Sequence, residues 1–446
     1  MNITIVGARA IGSHLAKLLS KNHHSINLMD DSEECLEDID KDLDLMIIHG
    51  SPNSVKDLKT AGTENADLFI AVTPHESDNI NACVLAHALG AKKTVAKVDS
   101  YEYMEPEMGE FFGKLGIDRL IYPEMLAAED ICSGLKMSWV RQRWDERNGS
   151  LVMLSIKLRK SCTILNKPLK DICGPNDPYH VVAIKRNDET IIPNGNDSLQ
   201  LYDLGYFMTT KNYIPYMREI VGKEDYTDVR NIIFMGGGET AVRALLELPE
   251  YMNAKVIEQD EDRCNYLADI LCDKATVIHG DGRDLNLLQE EGIRSTQAFV
   301  AVTGSTETNI LACLTAKRLG IRKTVAAVEN TDYISMAESL DIGTLINKKT
   351  IAASNIYQMM LDADVNNVRF LMTANADVAE ITAKEDSLVT KKKVYELRLP
   401  QGITLGGLVR NGEGMLISGS TQIQSGDIVM AFCHDIDIKR LDKFFN

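Results

Sequence analysis

A chain of 446 residues, 44% of them hydrophobic, has material for roughly two to four domain cores, and no run in it approaches the roughly 20 apolar residues that cross a bilayer. Sixty-five acidic against 48 basic residues leave a formal charge of −17, a field that repels phosphate backbones and anionic lipid and speaks against nucleic acid or a bare membrane surface as partner. Nine cysteines without a C-x-x-C suggest neither a disulfide framework nor a zinc site, and nine histidines, His23 and His24 adjacent among them, show no metal-ligand spacing.

The first predicted element is a strand that starts at Asn2, which leaves no space for a cleavable leader, so a soluble cytoplasmic protein is expected. Its apolar run Ile3–Val6 stops at Gly7, and Gly12 follows. A helix reads over Ser13–Ser20 with Leu15, Leu18 and Leu19 on one face, and a second strand, Ser25–Met29, ends on Asp30. Strand, glycine turn, helix, strand and acid is the order of a dinucleotide-binding βαβ unit. Gly7 permits a turn closed to other side chains. The helix N-terminus offers unpaired N–H groups to a pyrophosphate, and Asp30 can accept hydrogen bonds from an unphosphorylated ribose. Further strands at Leu45–Ile48, Leu68–Val72, Thr94–Val98 and Arg119–Ile121, with helical stretches between, predict a parallel sheet covered on both faces.

Beyond it the texture changes. Lys136–Trp144 and the acidic segment Asp145–Ser150 lead into short alternating strands at Leu151–Leu158, Val181–Lys185, Thr190–Ile192 and Tyr206–Thr209. They are punctuated by Gly174-Pro175, Pro193-Asn194-Gly195 and Asp203-Leu204-Gly205, as in a small β-rich domain.

The whole unit is then written again. Ala66–Val98 and Thr296–Val328 align without a gap at an offset of 230, with 16 of 33 positions identical. Ala71-Val72-Thr73 recurs as Ala301-Val302-Thr303, Asn79-Ile80 as Asn309-Ile310, and His49-Gly50 as His279-Gly280. The second copy opens at Asn231 and carries Gly236-Gly237-Gly238-Glu239-Thr240-Ala241, a full G-x-G-x-x-A, with Glu258 in the place of Asp30. Its β-rich tail is expected to have strands at Val394–Leu399, Gly407–Arg410, Gly414–Ile417 and Ile428–Phe432. The predicted fold is α/β: two Rossmann-like parallel-sheet domains (1–135 and 225–360), each followed by a small β-rich α+β domain (136–224 and 361–446).

The copies differ where a ligand would sit. In Gly7-Ala8-Arg9-Ala10-Ile11-Gly12, Arg9 replaces the second glycine, so a guanidinium either blocks the phosphates or grips them. Ser51 stands opposite Asp281, and Lys97 opposite Ala327, so the two sites are expected to bind unequally. Thr73 and Thr303 end strands at the crevice, where they either meet a ligand or cap the next helix. Asn79 and Asn309 either face the crevice or make a local backbone bond. Lys97 either reaches a phosphate or snorkels to water. Cys83, Cys313 and the pair Met359-Met360 read as packing.

These features together resemble the TrkA family of Trk potassium-uptake regulatory subunits, tandem KTN (RCK) proteins, over essentially the whole chain. The resemblance implies NAD(H), and ATP or ADP, as ligands. It also implies a homo-tetramer on the cytoplasmic face of a membrane potassium-translocating subunit of the TrkH/TrkG type, itself without membrane insertion. Carried over by motif, the first site comprises Gly7, Ala8, Arg9, Ala10, Ile11, Gly12, Asp30, Thr73, Pro74 and Lys97. The second comprises Gly236, Gly237, Gly238, Glu239, Thr240, Ala241, Glu258, Asp281, Thr303 and Gly304. No catalytic or metal-ligating residue is implied. The competing expectation is an NAD-dependent oxidoreductase, which needs a proton donor or acceptor against the nicotinamide, and the β-rich segments show no such constellation.

Overall fold

The computed structural model describes the chain apart from residues 21–23, 38, 40–42, 147–148, 175–176, 188, 359–364, 372–375, 435–437 and 446. His23, the Gly174-Pro175 turn, Met359-Met360 and the expected boundary at 360/361 therefore involve residues outside those described.

One compact unit comprises Met1–Leu126 and Lys348–Met360. Its sheet is built from β1 (Asn2–Val6), β2 (Ser25–Asp30), β3 (Met46–His49), β4 (Leu68–Ala71), β5 (Thr94–Lys97) and β6 (Arg119–Ile121), all parallel in the order β3-β2-β1-β4-β5-β6. Ile3, Ile5, Val6 and all of β4 are buried because helices cover both faces, which is why these strands read as continuous apolar runs. The buried hydroxyl of Thr4 donates to Ala61 O at 3.0 Å. The strand order runs outward in opposite senses on the two sides of β1, which opens a crevice at the strands' carboxyl ends between β1 and β4. The helix Lys348–Gln358 follows the last strand of the second copy, yet it belongs to this unit, against the helix Ala10–Ser20. It buries Ala352, Ala353, Ile356 and Tyr357, and Lys348 pairs with Glu124 at 3.0 Å.

The other unit, Ala127–Asn347 with Leu361–Asn446, holds three sheets. The first is antiparallel: β7 (Gln142–Glu146), β8 (Leu151–Lys157), β9 (Tyr179–Arg186), β10 (Glu189–Ile191) and β11 (Leu204–Thr209), in the order β10-β9-β11-β8-β7. The second repeats the parallel order with β12 (Asn231–Met235), β13 (Asn253–Glu258), β14 (Ala275–His279), β15 (Ala298–Ala301), β16 (Lys323–Ala327) and β17 (Thr344–Ile346). The third consists of β18 (Val365–Leu371), β19 (Ala376–Thr382), β20 (Ile403–Arg410), β21 (Glu413–Leu416) and β22 (Ile428–His434), in the order β18-β19-β22-β20-β21. That is the order of the first antiparallel sheet strand for strand, so the duplication extends through the β-rich segments.

Period-two alternation divides β8 between two cores. Val152, Leu154 and Ile156 join Phe207 and Trp139, while Leu151 and Met153 join Val409, Met430 and Phe432 of the third sheet. Close approach of those two sheets requires glycine: a Cβ on Gly406 would stand 2.7 Å from Val182, and one on Gly407 2.9 Å from Leu151.

Three expectations fail here. Val394–Leu399 is not a strand; Val394–Glu396 is a short 3-10 turn, held by Glu396 folding back onto Lys393 N at 3.0 Å, and Tyr395 is exposed. The lead-in Lys136–Ser150 contains β7, an edge strand whose charged residues disguise it, and β18 with β19 precede the first strand expected in the tail.

A bidentate ion pair recurs in both antiparallel sheets. Arg186 grips Asp203 at 3.0 and 2.8 Å, and Arg410 grips Asp427 at 2.8 and 2.6 Å; both aspartates are 2% exposed. Each aspartate also accepts a backbone N–H at 2.7 Å, from Gln200 and Gln424. Removing one partner of a buried, hydrogen-bonded pair leaves the other uncompensated. Asp203→Ala and Asp427→Ala are each expected to cost about 3 kcal/mol in urea unfolding; a loss below about 1 kcal/mol would rank the pairs with exposed ones.

Candidate functional site

The first crevice begins where β1 ends. Gly7 has φ +104°, and a Cβ there would lie 2.8 Å from the Val72 carbonyl and Thr73 N, so the turn is closed to other residues. Gly12 lets the helix Ala10–Ser20 sit on the turn, since a Cβ on it would fall 1.7 Å from Gly7 O. Gly7 N donates to Met29 O at 2.8 Å, and Ala8 N donates to Asp30 Oδ2 at 2.6 Å. Asp30, 4% exposed, also accepts Ser32 N at 2.9 Å on Oδ1. Its carboxylate thus fastens the glycine turn to the end of β2 while each oxygen keeps a second lone pair. Arg9 and Ala10 are exposed at the start of the helix, and Ile11 and Gly12 lie in its first turn.

Across the crevice, Asn79 is fully buried and braces two strand ends. Its Oδ1 accepts Thr73 N at 2.7 Å, and its Nδ2 donates to Thr73 O at 3.1 Å and Lys97 O at 3.0 Å. The local reading of Asn79 therefore holds. Thr73 Oγ1 exchanges bonds with His75 N and O at 3.3 and 3.2 Å, whereas His75 is the residue at the N-cap of helix Glu76–Leu89. Pro74 is exposed. Lys97 is ion-paired to Asp99 at 2.6 Å. Cys83, beneath this layer, donates Sγ–H to Val95 O at 3.3 Å, and burial pushes its thiol up; Cys313 does the same to Val325 O at 3.4 Å and is pushed up to about 12.

The second crevice repeats the frame. Gly236 has φ +98°, and Gly237 N donates to Glu258 Oε2 at 2.7 Å. The longer glutamate turns its other oxygen to Gln259 N and Asp260 N at 2.7 and 3.1 Å. Asn309 braces Thr303 and Ala327 as Asn79 braces Thr73 and Lys97, at 3.0 Å to Thr303 O and 2.9 Å to Ala327 O. Gly238 is the N-cap of helix Glu239–Glu247, which carries Thr240 and Ala241; a Cβ on Gly238 or Gly304 would meet nothing within 4 Å.

What differs is charge at the mouth. Glu239 opens the second helix and is paired with Arg263 at 2.9 Å; Arg263 also donates to Gly237 O at 2.8 Å. Arg263 occupies the position that Cys35 holds in the first copy, three residues after the N-terminal acceptors Asp260 and Ser32. Asp281 is gripped by Arg283 at 2.7 Å, which holds its carboxyl down at about 2. Sequence reading missed both Arg263 and Arg283, because neither has a charged counterpart in the first copy. Their signal was local: an arginine one turn into the helix after the ribose acid, and one two residues beyond Asp281.

The family model for the TrkA-N domain matches residues 3–123 and 232–348, and that for the TrkA-C domain matches residues 378–446. The Trk system potassium uptake protein TrkA of Azorhizobium caulinodans is 29% identical, over 100% of this chain and 98% of its own length. The protein of the same name in Haemophilus influenzae is also 29% identical, with the same coverages. Among solved structures, the GsuK RCK domain aligns with a TM-score of 0.62 at 15% identity, covering 100% of this chain and 94% of its own. The GsuK channel bound to NAD aligns with a TM-score of 0.61 at 14% identity, covering 100% and 78%. At such identities the likeness shows the fold.

The Asp281–Arg283 pair has a direct readout. A carboxylate whose pKa is depressed by a guanidinium stays ionised until the pH falls to about 2. In Arg283→Ala the Asp281 carboxyl is expected to titrate higher, toward the ordinary value of about 3.9, in a carbon-detected NMR titration, the backbone N–H at 283 still donating to it; an unmoved midpoint would show that the guanidinium is not the cause.

Proposed function

This chain belongs to the TrkA-N domain family, and from that premise we propose that it is a nucleotide-binding regulatory subunit of a membrane potassium transport system. One observation carries the reading: in both copies a carboxylate at the end of the second strand binds the glycine-turn amide, Asp30 to Ala8 at 2.6 Å and Glu258 to Gly237 at 2.7 Å. That is the frame a pyrophosphate and an unphosphorylated ribose require. NAD(H), ATP and ADP all carry that ribose. Relatives named for potassium uptake and a channel named as bound to NAD support the same ligand class and setting.

In this reading the four domains are 1–135, 136–224, 225–360 and 361–446, and the ligand contacts are those expected from the motifs. The chain is a homo-tetramer on the cytoplasmic face of its potassium-translocating partner, consistent with no described helix being long and apolar enough to cross a membrane. It performs no chemistry. A nucleotide shifts an equilibrium between shapes by the difference of its affinities for them, and the partner senses the shift.

In this reading the first crevice is the tighter phosphate site, and the charges at the two mouths support it. Arg9 is exposed at its turn, whereas in the second crevice Arg263 is already paired to Glu239. Calorimetry of the whole protein with NADH or ATP is expected to give two unequal sites. Arg9→Gly should weaken the tighter one roughly tenfold, the worth of one charge-assisted hydrogen bond. Gly238→Ala should weaken the other while leaving the thermal midpoint unchanged, because its Cβ meets no atom. Potassium flux through the copurified membrane partner should respond to the nucleotide added. Oxidation of NADH dependent on an oxo acid would replace this reading with a dehydrogenase; two equal sites would remove the assignment of Arg9.

A further inference from the structure

A cavity of about 580 Å³ lies in the second unit, at the amino end of β17 and so on the opposite edge of that sheet from the nucleotide crevice. One wall comes from the first antiparallel sheet: Arg141 before β7, Lys157 at the end of β8, Arg159 beyond it, and Lys185 on β9. The other wall comes from the helix Ile334–Ser339 and the loop into β17, with Glu338, Asp341 and Thr344.

Its electrostatics run against the rest of the molecule. The chain carries a net charge of −17, yet four cationic side chains line this cavity against two carboxylates. Both carboxylates are already engaged. Asp341, in a left-handed backbone at φ +56°, accepts from both Arg141 and Arg159 and lies 3.5 Å from Lys317, and Glu338 accepts from Lys185. The Lys157 side chain is half-buried and lies within the field of Asp341 as well as of Arg141 and Arg159, but makes no hydrogen bond or ion pair among the described residues. Burial pulls its pKa down; the Asp341 carboxylate opposes this, and the guanidiniums of Arg141 and Arg159 add to the lowering. Arg141 and Arg159 each reach Asp341 through Nη2, which leaves further N–H donors in each fork. Hydroxyls of Ser335, Ser339 and Thr344 share the lining. A crowded set of cations with spare donors, few anions and room for a solute is the complement of a compact dianion.

We infer that this cavity is an anion site that takes a phosphate group, as inorganic phosphate or as the head of a phosphomonoester, with Lys157 as the ligand's own cation and the forks of Arg141 and Arg159 beside it. It is separate from both nucleotide crevices. An anion there adds a bridge between the first antiparallel sheet and the second parallel sheet, which the Asp341 cluster already joins. The site therefore senses a second metabolite on the same chain.

The test uses the whole protein with NADH saturating, so that the crevices are filled. Calorimetric titration with inorganic phosphate in chloride buffer, and separately with glycerol phosphate, is expected to show one site per chain and a rise in thermal midpoint. Lys157→Met should weaken binding at least tenfold without lowering the midpoint of the phosphate-free protein, because the buried part of the side chain is kept and its ammonium holds no hydrogen bond or ion pair among the described residues. Lys157→Arg should restore binding. Stronger binding of glycerol phosphate than of phosphate identifies an esterified ligand, and the reverse identifies the free ion. Wild-type affinity in Lys157→Met, or no phosphate-dependent heat in the unaltered protein, would overturn the assignment.

Discussion

The structure depends on a carboxylate that is both buried and answered. A charge as enclosed as Asp30 is costly unless hydrogen bonds replace its water, and the amides of Ala8 and Ser32 do so. Those bonds give the glycine turn its position. The turn then sets the helix N-terminus over the crevice, and only Gly7 and Gly12 allow the backbone to pass so close. Glu258 performs the same task in the second copy with one more methylene, spreading its bonds over Gly237, Gln259 and Asp260. The oxygen atoms that fix the local fold are thus the same ones that, in the proposed function, meet the ribose.

Duplication preserved the braces and released the rim. Asn79 and Asn309, Cys83 and Cys313, and the Arg186–Asp203 and Arg410–Asp427 pairs occupy matching places with nearly matching geometry. All of these are buried or half-buried, where a change leaves a polar atom unanswered or a void. Arg9, Glu239, Arg263 and Lys97 lie at the crevice mouths and differ between copies. Such positions alter the electrostatics of the crevice mouth at little cost to the fold, which is how one scaffold comes to carry two crevices of unlike charge.

Much of this was legible in the sequence because backbone requirements leave residue signatures. Gly7, Gly12 and Gly236 mark the turns, and the apolar runs of β1 and β4 mark strands covered on both faces. Other parts left no such mark. β7 has Trp144 as its one large apolar residue among charges, so an edge strand passed for a linker. Val394–Leu399 alternates in type but buries only Leu397, and a carboxylate-to-amide bond curls it into a turn. No pattern in Lys348–Gln358 says that it packs in the unit of the first copy, because amphipathicity fixes which face a helix hides and not which sheet receives it. The Asp341 cluster is a set of long-range pairings between segments that carry no shared motif.

The central claim is that nucleotide binds on the two glycine turns and is felt as a change of shape without being consumed. Amide hydrogen exchange on the whole protein, with and without saturating NADH and with NADH absorbance followed in the same sample, tests it most directly. The account predicts slowed exchange across residues 7–12 and 236–241, slowed or quickened exchange at a distance from them, and unchanged NADH. Unaltered exchange at both turns, or loss of the NADH absorbance, would contradict it.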